Sequence, residues 1–563
     1  MARSIFTAAL LAAFTTFGCN LTSEKPGDAP SSPSGAAPAP AAAPGQEAPK
    51  QANPAATGNA AETKKPDGAK VDEKPAVLPA QPPRQSKALT PECAQLHKRI
   101  QDLDAAIPQF FRGVKRSGDE IYKDIVACRD LSKRFLSECA GTEESCEVSG
   151  ILARVSLAGH KRYKEQLAQE GVQEPDLSDM YKDFMDETKK VAESAARDCA
   201  PGSKGRAMAL RVLMEFADME GRYSALRENA NSILRENPSI STRPSLLISI
   251  AQSLIYERKY AEALKFLREV ISKHFDDVEY VVYNEKLLDA LTGTGDSEGI
   301  EELMHLIQVE YPSRLPKVPP ESDLRDQYVL WLCTSGFWLG FARMCGGDME
   351  GARKYFKEQV AAAEAQKLAP GEKAGNNICN IFANLRSYDM IYWIDNHYGK
   401  PPQTEVDLEE MWATPKGMTL KETKGKVVAI LGRLPDNRRA ESFLQRLDEL
   451  AGQHAKDGLV VIELGFLGGT RTAASDTEML EKMRADAKKL NLKAVYAGYD
   501  PDNVDRKVFQ ALHLTVGTAS FIVLDRNGLP AWYIVDPRDM DKELAARVIE
   551  RLLKSPPANE EKK

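Results

Sequence analysis

Residues 419–452, TLKETKGKVVAILGRLPDNRRAESFLQRLDELAG, decide how the chain is read. The β-rich apolar run 427–431 emerges from Gly425-Lys426 and predicts a buried strand. After a polar loop, Phe443, Leu444, Leu447 and Leu450 recur with helical period, so a helix follows. Downstream the theme repeats. Strands are expected at 459–466 (LVVIELGF), 493–500 (KAVYAGYD), 519–525 (ASFIVLD) and 530–536 (PAWYIVD), and helices at 479–490, 505–514 and 541–553. Strands alternating with helices imply a parallel core, and the Asn527-Gly528 turn closes an antiparallel hairpin.

KGKVV at 424–428 and Arg439-Ala440-Glu441 resemble the opening of the thioredoxin-like thiol-disulfide oxidoreductases of bacterial envelopes, where a Cys-x-x-Cys stands between strand and helix. VGTASFIVLDRNG (516–528) is similar to that family's Val-x-Gly-x-Pro-Thr-x-Phe-x-x-Asp-x-x-Gly, and Trp412-Ala413-Thr414-Pro415 to its lead-in. The resemblance implies a thioredoxin-like domain over 411–556 and departs from the family at the positions that do the chemistry. Aligning on Arg439 puts Pro435 and Arg438 in place of the two cysteines, with Asp436 and Asn437 between them, and Ala519 replaces the family's cis-proline. A cis bond without proline costs roughly 2.5–4 kcal/mol, so a trans Thr518–Ala519 bond is expected.

Disulfide exchange needs a thiolate, stabilised at a helix N-terminus, and a second thiol to resolve the mixed disulfide. No cysteine follows Cys379, so this domain has neither, and a peroxiredoxin-type thiolate is absent on the same ground. The resemblance therefore implies a redox-inactive domain serving protein binding or assembly. The alternative is an oxidoreductase working through a cysteine outside the usual motif, such as Cys379 or Cys345. The helix start at 435–439 is also a possible anion site for a ligand sensor, although Arg438 and Arg439 read better as a solvated face.

The chain has 563 residues and a net charge of −7, with Lys and Arg interspersed among Asp and Glu, which argues against nucleic acid as a partner. Arg3, the apolar run 5–17 and Gly18-Cys19 form a short export segment rather than a membrane span. It resembles a bacterial lipoprotein signal with Thr16 where Leu is usual. That resemblance implies a lipid on Cys19, and Asn20 by analogy implies sorting to an outer membrane. Residues 20–89 are rich in Pro and Ala and are expected to be a disordered tether.

Eight cysteines besides Cys19 lie between 93 and 379, an even number that suggests structural disulfides in an oxidising compartment. Cys139 with Cys146, flanking a short turn, and Cys333 with Cys345 are the candidate pairs.

Between these ends the chain reads as all-helical: a cysteine-containing region, 90–205, then a repeat region, 206–400. Leu226, Ala263 and Ile300 are 37 residues apart, and so are Met214, Ala251 and Leu288, then Ile233, Val270 and Ile307, then Pro238, Phe275 and Pro312. Each unit reads as two amphipathic helices, and the pattern resembles tetratricopeptide repeats. A fourth unit is expected at GGDMEGARKYFKEQV, displaced by RLPKVPPESD, with Ala352 in the place of Ala263. Stacked pairs would offer a concave surface to an envelope protein. Trp331, Phe337 and Trp338 read as core. No motif calls for a metal or cofactor; Asp395 and His397 read as loop residues, and GFLGGTRT as a tight turn. The last residues, 557–563, form a charged tail.

Overall fold

The computed structural model describes residues 87–107, 118–169, 178–320, 322–365, 375–402, 407–408, 418–419, 423–433, 440–465, 473–499, 511–512, 514, 519–537 and 541–556. The expected export segment, Cys19, nearly all of the tether and the charged tail lie outside them. Among the described residues no helix is long and apolar enough to cross a membrane.

Helix α1 (Pro91–Ala106) opens with Pro91 behind the N-cap Thr90, whose hydroxyl accepts from the Cys93 amide. It is followed by α2 (Gly118–Glu138), α3 (Glu144–Gln169), α4 (Ser178–Asp198) and α5 (Lys204–Met219). A disulfide joins Cys93 to Cys139, with the Cα atoms 6.0 Å apart.

That bond corrects the expected pairing of Cys139 with Cys146. Cys139, directly after α2, meets α1, whereas Cys146 lies in the first turn of α3 and packs against Cys199. The pairing of Cys333 with Cys345 is corrected too. Both sit in α11 (Asp323–Gly346), and twelve residues of helix separate them by about 18 Å.

Helices α6 (Tyr223–Glu236), α8 (Tyr260–Lys273), α10 (Ser297–Arg314) and α12 (Met349–Ala365) alternate with α5, α7 (Arg243–Tyr256), α9 (Tyr280–Thr294) and α11; α13 (Gly375–Asn396) follows. Leu226, Ala263, Ile300 and Ala352 are each the fourth residue of their helix, and all four are buried. Two residues before each of these helices the backbone is left-handed, at Gly221, Arg258, Gly295 and Gly347. The 37-residue step is thus the spacing of successive αL turns, lengthened before Ala352 by the Pro-rich insertion. Phe275, by contrast, is exposed, so the fourth register lies outside the core. Trp331 and Phe337 are buried, and Trp338 packs on the same cluster.

Two short strands, β1 (Asp407–Leu408) and β2 (Met418–Thr419), pair antiparallel. The main sheet holds β3 (Val427–Arg433), β4 (Leu459–Gly465), β5 (Tyr496–Tyr499), β6 (Ser520–Leu524) and β7 (Pro530–Val535), in the order β5-β4-β3-β6-β7. The first three are parallel, and β6 runs antiparallel to both β3 and β7. Helices α14 (Glu441–His454), α15 (Ala473–Leu490) and α16 (Lys542–Lys554) accompany the sheet. Every residue of β3 and β4 is buried, as befits inner strands covered on both faces.

The helical array and the sheet share one core. A single apolar cluster runs from Tyr280 and Ile307 through Phe337 and Phe341 to Trp532, Phe521 and Ile549. Edge strand β7 is gripped on both faces. On one, Phe341 meets Trp532 with ring centroids 6.1 Å apart; on the other, Trp393 stacks on Tyr533 at 5.6 Å. Residue parity assigns the two rings to opposite faces, since neighbours along a strand alternate. Gly399 N also donates to Pro530 O at 2.9 Å, which pairs the first backbone carbonyl of this edge strand within the chain.

Candidate functional site

In this sheet the chemistry expected from the resemblance belongs at the C-terminal end of β3. Pro435, Asp436, Asn437 and Arg438 lie outside the described residues, between Arg433 at the end of β3 and Ala440. Ala519 is described: it is buried, precedes β6, and its carbonyl accepts from Asp536 N at 2.7 Å. Residue 518 is outside the described set, and with it the expected trans bond.

Beneath that end of the sheet lies a buried charge cluster that sequence reading missed. Arg433, the last residue of β3, is fully buried and donates from Nε to Glu463 Oε1 at 2.8 Å and from Nη2 to Asp486 Oδ2 at 3.0 Å. Glu463 is on β4 and Asp486 on α15. The signal was present in the chain, as a charged residue interrupting each of two apolar strand runs, VVAILGR and LVVIELG.

Burial pushes the Glu463 carboxyl up against the pull of Arg433, and among the described residues its Oε2 has no hydrogen-bond partner. Leaving an acceptor buried and unpaired costs about 1–3 kcal/mol, which a protonated carboxyl avoids in part. The cluster can hold and orient charge, and Glu463 can hold a proton. It contains no nucleophile.

Among the described residues, the thiol that meets the α/β region is Cys345. It is buried at the C-terminal end of α11, its thiol pushed up to about 12 by burial, with the Trp532 indole beside it lowering the value in part. Trp532 is paired with Val523, which is paired with Ala429, four residues before Arg433. Cys345 therefore lies about 13 Å down the strand from the end where the loop leaves. This thiol thus lies away from Arg433, the last described residue before Pro435, and burial keeps it protonated, the opposite of what a nucleophile requires. The Cys379 side chain lies outside the described residues.

Three parallel strands with the first in the centre, followed by an antiparallel hairpin on its other side, decide the architecture. This is the thioredoxin-like layout. No family model matches the chain, and no curated protein matches it. Solved structures do match over about a quarter of its length. One is described as a thiol:disulfide interchange protein DsbE from Chlorobium tepidum, at 14% identity over 27% of this chain and 96% of the other, with a TM-score of 0.22. The exposed lipoprotein thioredoxin Etrx1 of Streptococcus pneumoniae matches at 20% identity over 26% of this chain and all of the other, TM-score 0.22. A secreted disulfide oxidoreductase of Mycobacterium tuberculosis matches at 15% identity over 26% and 96%, TM-score 0.20.

The other sequence candidates resolve into structure. Asp395, expected in a loop, lies instead near the end of α13 and accepts from Arg353 Nη2 at 3.0 Å, so it holds α12 to α13. His397 follows that helix against the Tyr392 ring. Among the described residues no group of His, Cys, Asp or Glu is placed to hold a metal ion.

Proposed function

We propose that the chain is an exported envelope protein, lipid-anchored through Cys19, in which a thioredoxin-like domain without exchange chemistry caps a tetratricopeptide-like array and the two together bind or assemble other envelope proteins. The observation that carries this reading is the placement of sulfur. The domain has no cysteine of its own, and Cys345, the described thiol that touches it, is buried and protonated toward the wrong end of the central strand. The shared core supports the same reading. A carrier of electrons usually offers an open active-site face to many partners, whereas this domain spends its β7 edge and its last helix on its own chain.

An insulin-reduction assay on the full chain tests it. With dithiothreitol as electron source the expected rate equals that of dithiothreitol alone. Turnover above that background, abolished by Cys379→Ser or Cys345→Ser, would establish the oxidoreductase alternative instead.

A further inference from the structure

We propose that Cys146 and Cys199 are a second disulfide site, oxidised to a direct bond by exchange with a small disulfide oxidant of the glutathione type. The two thiols come from different helices, Cys146 from the first turn of α3 and Cys199 from the residue that follows α4. They pack together in a small cluster with Ala195, Ala196 and Ala209, within hydrogen-bonding reach of each other.

Their meeting is fixed by backbone packing rather than by side-chain chance. α5 lies so close on α3 that a Cβ added at Gly205 would fall 1.9 Å from the Cys146 carbonyl oxygen, and one at Gly150 would fall 2.5 Å from Gly205 O. Small residues at both places let the helices touch, and any side chain there would push Cys146 away. The Cys199 amide is tied to Ala195 O at 3.1 Å, which holds the end of α4 in place. Two thiols already held together lose little further freedom on bonding.

Access decides the order of events. Cys199 is buried and Cys146 is half-buried, so the oxidant meets Cys146 first. The Cys146 thiolate attacks one sulfur of the donor disulfide, whose S–S bond breaks and releases one donor thiol. Cys199 then gives up its proton and attacks the Cys146 sulfur, releasing the second donor thiol. Two electrons and two protons pass from the pair to the donor, and nothing else is consumed. With the Cys93–Cys139 bond already clasping α1 to the end of α2, the new bond would clasp α3 to α4, and the first four helices would be stapled in two consecutive pairs.

Peptide mapping decides the matter. The full chain is equilibrated with excess oxidised glutathione, treated with N-ethylmaleimide in denaturant without reductant, digested, and measured by mass spectrometry. The expected product is a linked pair of peptides carrying Cys146 and Cys199, lighter by two hydrogens than the two reduced peptides together. In Cys199→Ser the link disappears, and Cys146 carries maleimide or glutathione. Maleimide on both Cys146 and Cys199 in the wild-type chain, or a bond from either to any other cysteine, would overturn the assignment.

Discussion

Arg551 and Cys345 stand 206 residues apart in sequence and are joined by a 2.5 Å hydrogen bond from the guanidinium Nη1 to the main-chain carbonyl. The carbonyl belongs to the last turn of α11, one of those that a helix leaves without an internal partner. An arginine from the final helix of the sheet domain thus caps a helix of the array, and burial lowers the Arg551 pKa. Replacing it by alanine leaves a covered carbonyl unpaired, and Arg551→Ala should lose about 1–3 kcal/mol in urea unfolding. Arg547→Ala, at an exposed arginine one turn earlier, should stay within about 0.5 kcal/mol. Equal losses in the two variants would mean that the capping bond contributes nothing.

Three of the left-handed turn glycines separate backbone strain from docking. Each should resist alanine by about 1–2 kcal/mol because φ is positive. At Gly221 a Cβ meets nothing, but at Gly295 it falls 2.9 Å from Glu543 O and at Gly347 2.7 Å from Arg551 Nη1. Gly295→Ala should therefore destabilise more than Gly221→Ala, with Gly347→Ala between them because a guanidinium can move and a main-chain carbonyl cannot. Thermal melts of the three variants check that order.

The sheet domain should not survive alone. Cutting before residue 411 removes Phe341 and Trp393 from the two faces of β7 and Gly399 from its edge. The bared strand holds Trp532 and Tyr533, and an open apolar edge invites association. A fragment of residues 411–556 should elute from size-exclusion chromatography as aggregate, or show poor amide dispersion. A well-dispersed monomer would show that the shared core is dispensable.

Glu463 gives the stability a pH dependence of known sign. Its folded pKa is raised, first by burial, so between the unfolded carboxylate value and the folded one the native state holds more protons than the unfolded state. The stability this group contributes is present below the unfolded pKa and declines as pH rises toward the folded one. Glu463→Gln cannot titrate and should lack that decline. Urea midpoints of the two proteins from about pH 4 to pH 7 should converge or cross with a difference in slope; parallel profiles would place the titration elsewhere.

Much of the architecture was legible in the chain, because it is written in local periodicity. Alternation of short apolar runs with helical spacing located β3, β4, β6 and β7 to within a few residues, and the 37-residue step read from the apolar registers is also the spacing of the left-handed turns at 221, 258 and 295, the turn at 347 being displaced by the Pro-rich insertion. Arg258 is instructive, since an arginine occupies a left-handed position that its counterparts fill with glycine, and only the period could have found it.

The sequence by itself determined two things here: that the C-terminal domain carries no cysteine, and that its strands and helices follow in an order admitting few topologies. Both are properties of the chain read locally. Tertiary structure alone decided which cysteines meet, that Arg433, Glu463 and Asp486 form one buried cluster, and that array and sheet close over a common core. Those contacts join residues tens to hundreds of positions apart, and no local spacing encodes a distance across a folded interior. Sequence proximity suggested Cys139 with Cys146, but helix packing carried Cys139 to Cys93 and turned Cys146 toward Cys199.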